Sequence, residues 1–589
     1  MCGIAGYIGG RNAPELLFDM LKRLEYRGYD SAGLAYVSGG KIEIPKDKGK
    51  VDDVRRKLKP EQLKSNIGVA HTRWATHGIP SQVNAHPHSD CSGKFAVAHN
   101  GIIENYQELT RELSERGHKL KSETDTEVIA HLIEEYYEGD FLTAFASAVR
   151  RLNGSYAITA ISSEEPDRIL VARKDSPLLI GLGQKENFIA SDAPAFMSET
   201  KKSIILDDFE YGVVTRDKAE FYSLESGKRI KKKVEKISWD VSEAEKAGYH
   251  HFMLKEIFEE PQAARNALKG EKELMAIAMR LKDYDRIYLI ACGTAYHAGL
   301  VGKYVLENLG IRAEAVVASE FRYSTIKTVD KRTAVVGISQ SGETADTLAA
   351  LKESKKRGAY VASIVNVVGS TIARVSDDVA YIYSGPEIAV ASTKAYVGQA
   401  IAATLLGFLL AVQSGRIDRE GFDLPFEELK SLPDKIQRIL DENSIRRLAE
   451  KYANTNTFFF IGRRQNFPTA LEGALKLKEI SYVHAEGYPA GELKHGPLAL
   501  LEEGVVVVSI LSSDDLKDKM ASNIQEVKAR GASVITVGEN GDFKIPKTDP
   551  LLTPILNIVP LHLFAYYISV LKGIDPDKPR NLAKSVTVE

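Results

Sequence analysis

Cysteine is nearly missing from this chain: three residues in 589, at Cys2, Cys91 and Cys292. They lie far apart, without the paired spacing of a zinc finger or a disulfide framework, so neither kind of staple is expected. Net charge is equally scarce. Lys and Arg number 78 against 80 Asp and Glu, a balance of −2, which excludes bulk attraction to nucleic acid or an anionic membrane surface as a basis for function. No signal-peptide pattern is present, and no apolar run reaches the length of a bilayer span; the most apolar stretch, 401–412, reads as a buried helix. The expectation is a cytoplasmic protein with no nucleic-acid or membrane partner. Adjacent His250 and His251 have no companion ligands, so no metal and no cofactor are expected. What the chain does have is an ordinary globular make-up, 44% hydrophobic and 27% charged. Its length suits about two to four domains, each with its own core.

Cys2 is the residue that organises the first half. Once Met1 is removed, Cys2 carries both a thiol nucleophile and an α-amine of reference pKa about 8, which can take the thiol's proton directly or through a water. Downstream, 4–8 and 32–37 read as strands and 14–24 as a helix opened by Pro14. Three polar clusters follow, expected as loops: 24–31, His71-Thr72-Arg73-Trp74-Ala75-Thr76-His77-Gly78, and 99–105. A fourth segment, 122–127, opens a helix with Asp and Thr capping groups. Singly, these are turns, solvated charges and caps. Together they supply what a glutamine-hydrolysing site requires: Arg73 for the substrate α-carboxylate, Asp125 for its α-ammonium, and Asn100 with the Gly101 N–H for a tetrahedral oxyanion.

An internal repeat follows. The apolar strand 286–292 recurs as 458–461, about 170 residues later; 333–338 recurs as 505–511, and 352–361 as 526–534. Strand, polar loop and amphipathic helix return in the same order, the signature of βαβ units on a parallel sheet covered on both faces. In the first copy the loop Ser339-Gln340-Ser341-Gly342-Glu343-Thr344 joins a strand to a helix N-terminus, a place suited to phosphate. It has no Lys and no nucleotide-loop spacing. The second copy has Ser512-Ser513-Asp514-Asp515 here, whose acidic pair should repel phosphate. One sugar-phosphate site per chain is therefore expected.

The residues around Cys2, 71–78, 99–101 and 122–126 resemble the class II, N-terminal nucleophile glutamine amidotransferase family. The strand–SxSGxT–helix pattern resembles the sugar isomerase family, and the whole chain is similar to the glutamine–fructose-6-phosphate aminotransferases. The resemblance implies an α+β glutaminase domain, an αββα sandwich, followed by two α/β parallel-sheet sugar isomerase domains. Expected boundaries are 1–240 for the glutaminase, 241–265 as a linker, 266–415 and 441–589 for the repeats, and 416–440 as a second linker.

The implied reaction converts fructose 6-phosphate and glutamine to glucosamine 6-phosphate and glutamate, the first step toward UDP-N-acetylglucosamine. Besides Arg73 and Asp125, Thr76 and His77 would bind glutamine, and Trp74 would gate an ammonia channel. Thr294, Ser339, Gln340, Ser341, Thr344, Val390 and Ser392 would hold the sugar phosphate. Glu472, Lys476 and Glu479 share one face of a helix, which by spacing alone reads as a solvated ion-pair ladder. The resemblance instead makes Glu479 the isomerase base, assisted by Lys476. It makes Lys584 a Schiff-base former and His495 a ring-opening group supplied by a neighbouring subunit, hence a homodimer. Ala295 stands where the bacterial pattern often has Ser, removing one hydroxyl contact. Two alternatives remain at this point: another keto-sugar phosphate as acceptor, or a non-catalytic sugar-phosphate sensor.

Overall fold

The computed structural model describes residues 2–74, 78–237 and 246–587. The chain divides into two compact units, 1–244 with 585–589, and 245–584.

The first unit stacks two antiparallel sheets of nine and seven strands. Period-2 alternation decides what each strand presents to which layer. In the strand Gly3–Ile8, Ile4 and Ile8 face a core shared by both sheets with Ile67, Val69, Ala96, Ala157 and Ile161. Ala5 and Tyr7 face the opposite way, toward the helix Ala13–Leu24. The second sheet is covered on its outer face by helices Tyr106–Glu115, Glu127–Glu135 and Phe141–Arg150. Helix, sheet, sheet, helix: this is the expected αββα sandwich.

Two of the three polar clusters begin inside strands instead of loops. The strand Ile67–Arg73 runs through His71, and Phe95–Ile103 runs through His99, Asn100 and Gly101. Ile67–Arg73 lies between Gly3–Ile8 and Ser31–Ser38, and Phe95–Ile103 pairs with Gly154–Ser162 over its whole length. The ladder satisfies the backbone there, so polar side chains are carried on strands instead of interrupting them.

The second unit holds two five-stranded parallel sheets of one topology. In sequence numbers within each sheet the order is 2-1-3-4-5: Arg286–Ala291 lies between Glu314–Val317 and Thr333–Ser339, and Thr457–Gly462 lies between His484–Pro489 and Val506–Ile510. Such an order has a switch point between its first and third strands, where a crevice opens at the strand C-termini. The segments expected as linkers are built into this unit. Helices Phe252–Phe258 and Glu260–Ala267 bury Met253, Ile257 and Ala264, and the helix Arg419–Leu440 buries Leu429, Leu432 and Ile436.

Two helices, Lys394–Gln413 and the one ending at Leu571, are long and apolar enough to cross a membrane, contrary to the reading of the sequence. Both lie inside the unit, with 94% and 83% of their most apolar windows buried, as core helices.

Candidate active site

Strand parity assembles the first site. Cys2 shares the inter-sheet face with Ile4 and Ile8; His71 and Arg73 share it with Ile67 and Val69; Asn100 shares it with Ala96 and Ala98. Since Gly3 pairs with Thr72, continuing the register sets Cys2 beside Arg73. A cavity of about 220 Å³ results, lined by Cys2, Arg27, Arg73, Trp74, His86, His99, Asn100, Gly101, Asp125, Thr126, Ser176, Pro177, Val586 and Thr587. Six sequence-predicted residues thus meet in one cavity. Thr76 and His77 lie outside the described residues.

Around the thiol, the Trp74 N–H donates to Cys2 Sγ at 3.3 Å. Burial pushes the thiol up, while the Trp74 N–H and the charges of Arg73 and Arg27 work the other way. The Cys2 carbonyl accepts from Asn100 Nδ2 at 3.0 Å and Arg27 Nε at 3.2 Å. An amide NH₂ has two donors, so Asn100 keeps one for an oxyanion. Its orientation comes from His71. Burial lowers that imidazole to about 3, so it is neutral, and its Nε2–H donates to Asn100 Oδ1 and the His99 carbonyl, both at 3.0 Å. His86 stacks on His71 with ring centroids 4.2 Å apart. Gly101 has φ +129°, and a Cβ there would collide with the Ser155 carbonyl.

Asp125 is not a helix cap. Its Oδ2 accepts from the Ile103 N–H at 2.8 Å, which holds the carboxylate at the cavity wall. Thr126 instead bonds His99 Nδ1 through Oγ1 at 2.9 Å. Arg73 is 3% exposed; burial lowers its guanidinium, and the carboxylates of Asp125 and Asp30 work against that. One cation and one carboxylate across a small cavity match the zwitterionic end of an α-amino acid. Arg73→Ala is expected to raise the KM for glutamine about 10²-fold, the cost of a desolvated charge pair, with a smaller change in kcat. Steady-state kinetics of glutamate release check this.

The second group of residues gathers at the switch point of the first parallel sheet. Thr294 stands at the start of the helix Gly293–Asn308, after the first strand, and Ser339 ends the third strand. Ser339 Oγ and Thr344 Oγ1 are 3.0 Å apart, and Ser339 Oγ accepts the Gly342 N–H at 3.0 Å. Gly342 has φ +65°, and a Cβ there would run into Ser370 Oγ, so only glycine lets this loop close. Gln340 accepts from the Asn366 N–H through its backbone carbonyl, and Ser341 Oγ accepts from the Glu343 N–H at 3.1 Å. The matching loop of the second copy is filled by its own charges. Asp514 accepts from Gln465 Nε2 at 3.0 Å, and Asp515 pairs with Arg464 at 3.0 Å.

The expected ladder Glu472, Lys476 and Glu479 is not solvated. On the helix Phe467–Ser481, Glu472 and Lys476 are fully buried and Glu479 is partly so. Lys476 Nζ reaches Glu479 at 2.6 Å and Thr294 Oγ1 at 3.0 Å, and Glu472 accepts from Thr294 at 3.1 Å and faces His297 Nδ1 at 2.7 Å. Burial opposes the Lys476 charge, yet Glu479 and Glu472 raise its pKa. Thr294 thereby ties the first sheet's crevice to a helix of the second copy.

Lys584 Nζ donates to Glu387 Oε2 at 2.5 Å, and Ser392 Oγ donates to the same oxygen at 2.7 Å. Burial alone would raise the Glu387 carboxyl, but Lys584 and the Thr393 and Ala395 N–H groups bring it down to about 2. Its neighbour Glu256 is pushed up by burial and by the Glu387 charge. Val390 is buried and donates its N–H to the Asp577 carbonyl at 3.2 Å. His495 is exposed at the end of the turn Ala490–His495.

Sequence reasoning missed Glu387, His297 and Glu256 in the second site, and the roles of Arg27, His86, His99 and Val586–Thr587 around the first. Glu387 left one signal, a lone acid in the apolar stretch 386–391 just before Ser392. The others needed the tertiary structure.

Comparison with known proteins matches residues 71–198 to a glutamine amidotransferase domain, and 280–408 and 451–557 to the SIS domain. Over 602 residues and the full length of both chains, this chain is 50% identical to the glutamine–fructose-6-phosphate aminotransferase [isomerizing] of Thermococcus kodakarensis and 51% identical to that of Pyrococcus horikoshii. It is 48% identical to the Aquifex aeolicus protein of the same name, again over the whole of both chains. Among solved structures, the C-terminal domain of glucosamine-fructose-6-phosphate aminotransferase from Francisella tularensis aligns with TM-score 0.53 and 36% identity, covering 56% of this chain and 99% of that one.

Proposed function

Since the chain belongs to the family of glutamine–fructose-6-phosphate aminotransferases, we infer that it makes glucosamine 6-phosphate and glutamate from fructose 6-phosphate and glutamine, at the entry to amino-sugar synthesis. The observation that carries this reading is the cavity holding Cys2, Arg73, Asn100, Gly101 and Asp125 together.

With Met1 removed, the α-amine of Cys2 takes the thiol proton and the thiolate attacks the side-chain amide carbon of glutamine. Arg73 and Asp125 hold the α-carboxylate and α-ammonium. The oxyanion is held by the free N–H of Asn100 and the Gly101 N–H, each such donor being worth about 3–4 kcal/mol in an enclosed site. Collapse expels ammonia, which receives the proton, and water then hydrolyses the γ-glutamyl thioester to glutamate.

In the second unit, the phosphate is held by Ser339, Gln340, Ser341 and Thr344 at a helix N-terminus. Val390, Ser392 and Thr294 border the sugar. Lys584, as its free amine, condenses with the C2 ketone and water leaves, the buried Glu387 carboxylate holding its Nζ in place. Ammonia displaces Lys584 to give the C2 imine. Glu479, beside the Lys476 ammonium, then moves a proton from C1 to C2 while the O1 proton passes to the imine nitrogen, leaving the C1 aldehyde and the C2 amine.

Trp74 gates the ammonia: it lines the cavity, and its backbone N–H touches the nucleophile. His495 acts in the sugar site of a second copy. Its exposure leaves it accessible to a second copy, which supports a homodimer.

The test is product analysis with glutamine and fructose 6-phosphate, for the parent and for Trp74→Ala. The parent should yield glutamate and glucosamine 6-phosphate in a ratio near one, and Trp74→Ala an excess of glutamate by severalfold. Glutamate without any amino sugar would discard fructose 6-phosphate as acceptor. An unchanged ratio in Trp74→Ala would remove the gate.

A further inference from the structure

The first unit contains a second cluster of reactive side chains, separate from the glutamine cavity. Cys91 follows the short strand His88–Ser89, His118 follows the helix Tyr106–Glu115, and His131 and Glu134 lie one turn apart on the helix Glu127–Glu135. One ligand-type atom of each lies within 4.8 Å of every other.

The spacing is that of a coordination sphere. His118 Nδ1 and His131 Nδ1 are 3.3 Å apart, Cys91 Sγ is 3.6 Å from His131 Nδ1, and Glu134 Oε2 is 3.1 Å from His118 Nδ1 and 3.7 Å from His131 Nδ1. A tetrahedron with zinc–nitrogen or zinc–oxygen bonds of about 2.0–2.1 Å and a zinc–sulfur bond of about 2.3 Å has edges of roughly 3.3–3.6 Å. Four of the six edges fall close to that range.

The surroundings suit the same assignment. Each imidazole turns its outer nitrogen to a carboxylate: His118 Nε2 stands 3.0 Å from Glu135, and His131 Nε2 stands 3.5 Å from Glu127. Outer carboxylates of this kind orient metal-bound histidines. The Lys119 N–H donates to Cys91 Sγ at 3.3 Å, which fixes where the sulfur stands. His131 is buried to 1% exposure, a costly place for two facing imidazole nitrogens unless they share a proton or a cation.

We propose that Cys91, His118, His131 and Glu134 bind one divalent transition metal of the zinc class. Four protein ligands close the sphere, so the site is structural. It fastens the loops at 90–92 and 118–119 to the helix Glu127–Glu135. That helix is preceded by Asp125 and Thr126 of the glutamine cavity. The spacing hid the site: 26 residues separate Cys91 from His118, and the only local trace is His131-x-x-Glu134.

The experiment is titration of the metal-stripped full-length chain with Co²⁺ and then Zn²⁺, in a Cys2→Ala background so that the nucleophile contributes no thiolate. One Co²⁺ per chain is expected, with tetrahedral ligand-field bands and a thiolate charge-transfer band, displaced by one equivalent of Zn²⁺. Zinc should raise the unfolding midpoint of the first unit by about 4 °C or more at a hundredfold excess over Kd. Cys91→Ser should remove the charge-transfer band, and His118→Ala should abolish stoichiometric binding. Cys91 is exposed and its replacement conservative, so misfolding does not mask the result. No binding at micromolar metal, or binding unchanged in both variants, overturns the proposal.

Discussion

Replacing Cys2 with Ala is expected to end glutamine hydrolysis, lowering its rate by about 10⁴-fold or more, because loss of a covalent nucleophile leaves only binding and oxyanion stabilisation. Formation of glucosamine 6-phosphate from added ammonium salt should continue at a rate near the parent's. The dissociation follows from the fold. Cys2, Arg73, Asn100 and Asp125 lie in the first compact unit, whereas Lys476, Glu479 and Lys584 lie in the second. The substitution is also mild structurally: Ala keeps the Cys2 carbonyl that accepts from Asn100 and Arg27, and loses the sulfur's contacts to the Trp74 N–H and carbonyl. Paired assays of glutamate and amino sugar, with glutamine or ammonia as donor, check the result. Glutamate release at more than a tenth of the parent rate would remove Cys2 as nucleophile.

Lys584→Arg should have the converse effect. Arg keeps a cation on the buried Glu387 carboxylate, which unpaired would cost several kcal/mol, but its guanidinium stays protonated and cannot form an imine. Synthesis from either nitrogen donor is expected to fall about 10³-fold or more, with glutamine hydrolysis retained. The same variant tests the dimer. If each sugar site takes Lys584 from one subunit and His495 from the other, refolding Lys584→Arg with His495→Ala in equal amounts restores one intact site per mixed dimer. That gives about a quarter of parental activity from two inactive proteins, as two-fold symmetry requires. If both residues act within one chain, the mixture stays inactive. Activity in Lys584→Arg alone would remove the Schiff base.

Much of this arrangement was legible beforehand because local rules report it. Apolar runs at 4–8 and 32–37 marked two strands, and the repeated strand–loop–helix order marked two parallel sheets, which the structure shows with identical strand order. Residue types also singled out the residues that the structure gathers in one cavity: Cys2, Arg73 and the Asn100-Gly101 pair. Reading fell short where polarity was taken for exposure. His71, Arg73 and Asn100 sit within strands because neighbouring strands satisfy their backbone, and Lys476 is buried because Glu472, Glu479 and Thr294 surround its charge.

The sequence by itself, through its resemblance to a known family, determined the overall reaction and the order of the units, since a family pattern is carried by residue type and short-range spacing. Only the tertiary structure decided which charges meet. Lys584 and Glu387 are 197 positions apart, Thr294 and Glu472 are 178 apart, and the Cys91–His118–His131–Glu134 cluster is drawn from separate segments. Contacts of that separation are fixed by how strands register and helices pack, and hydrophobic burial sets those geometries without leaving a mark at the polar positions themselves.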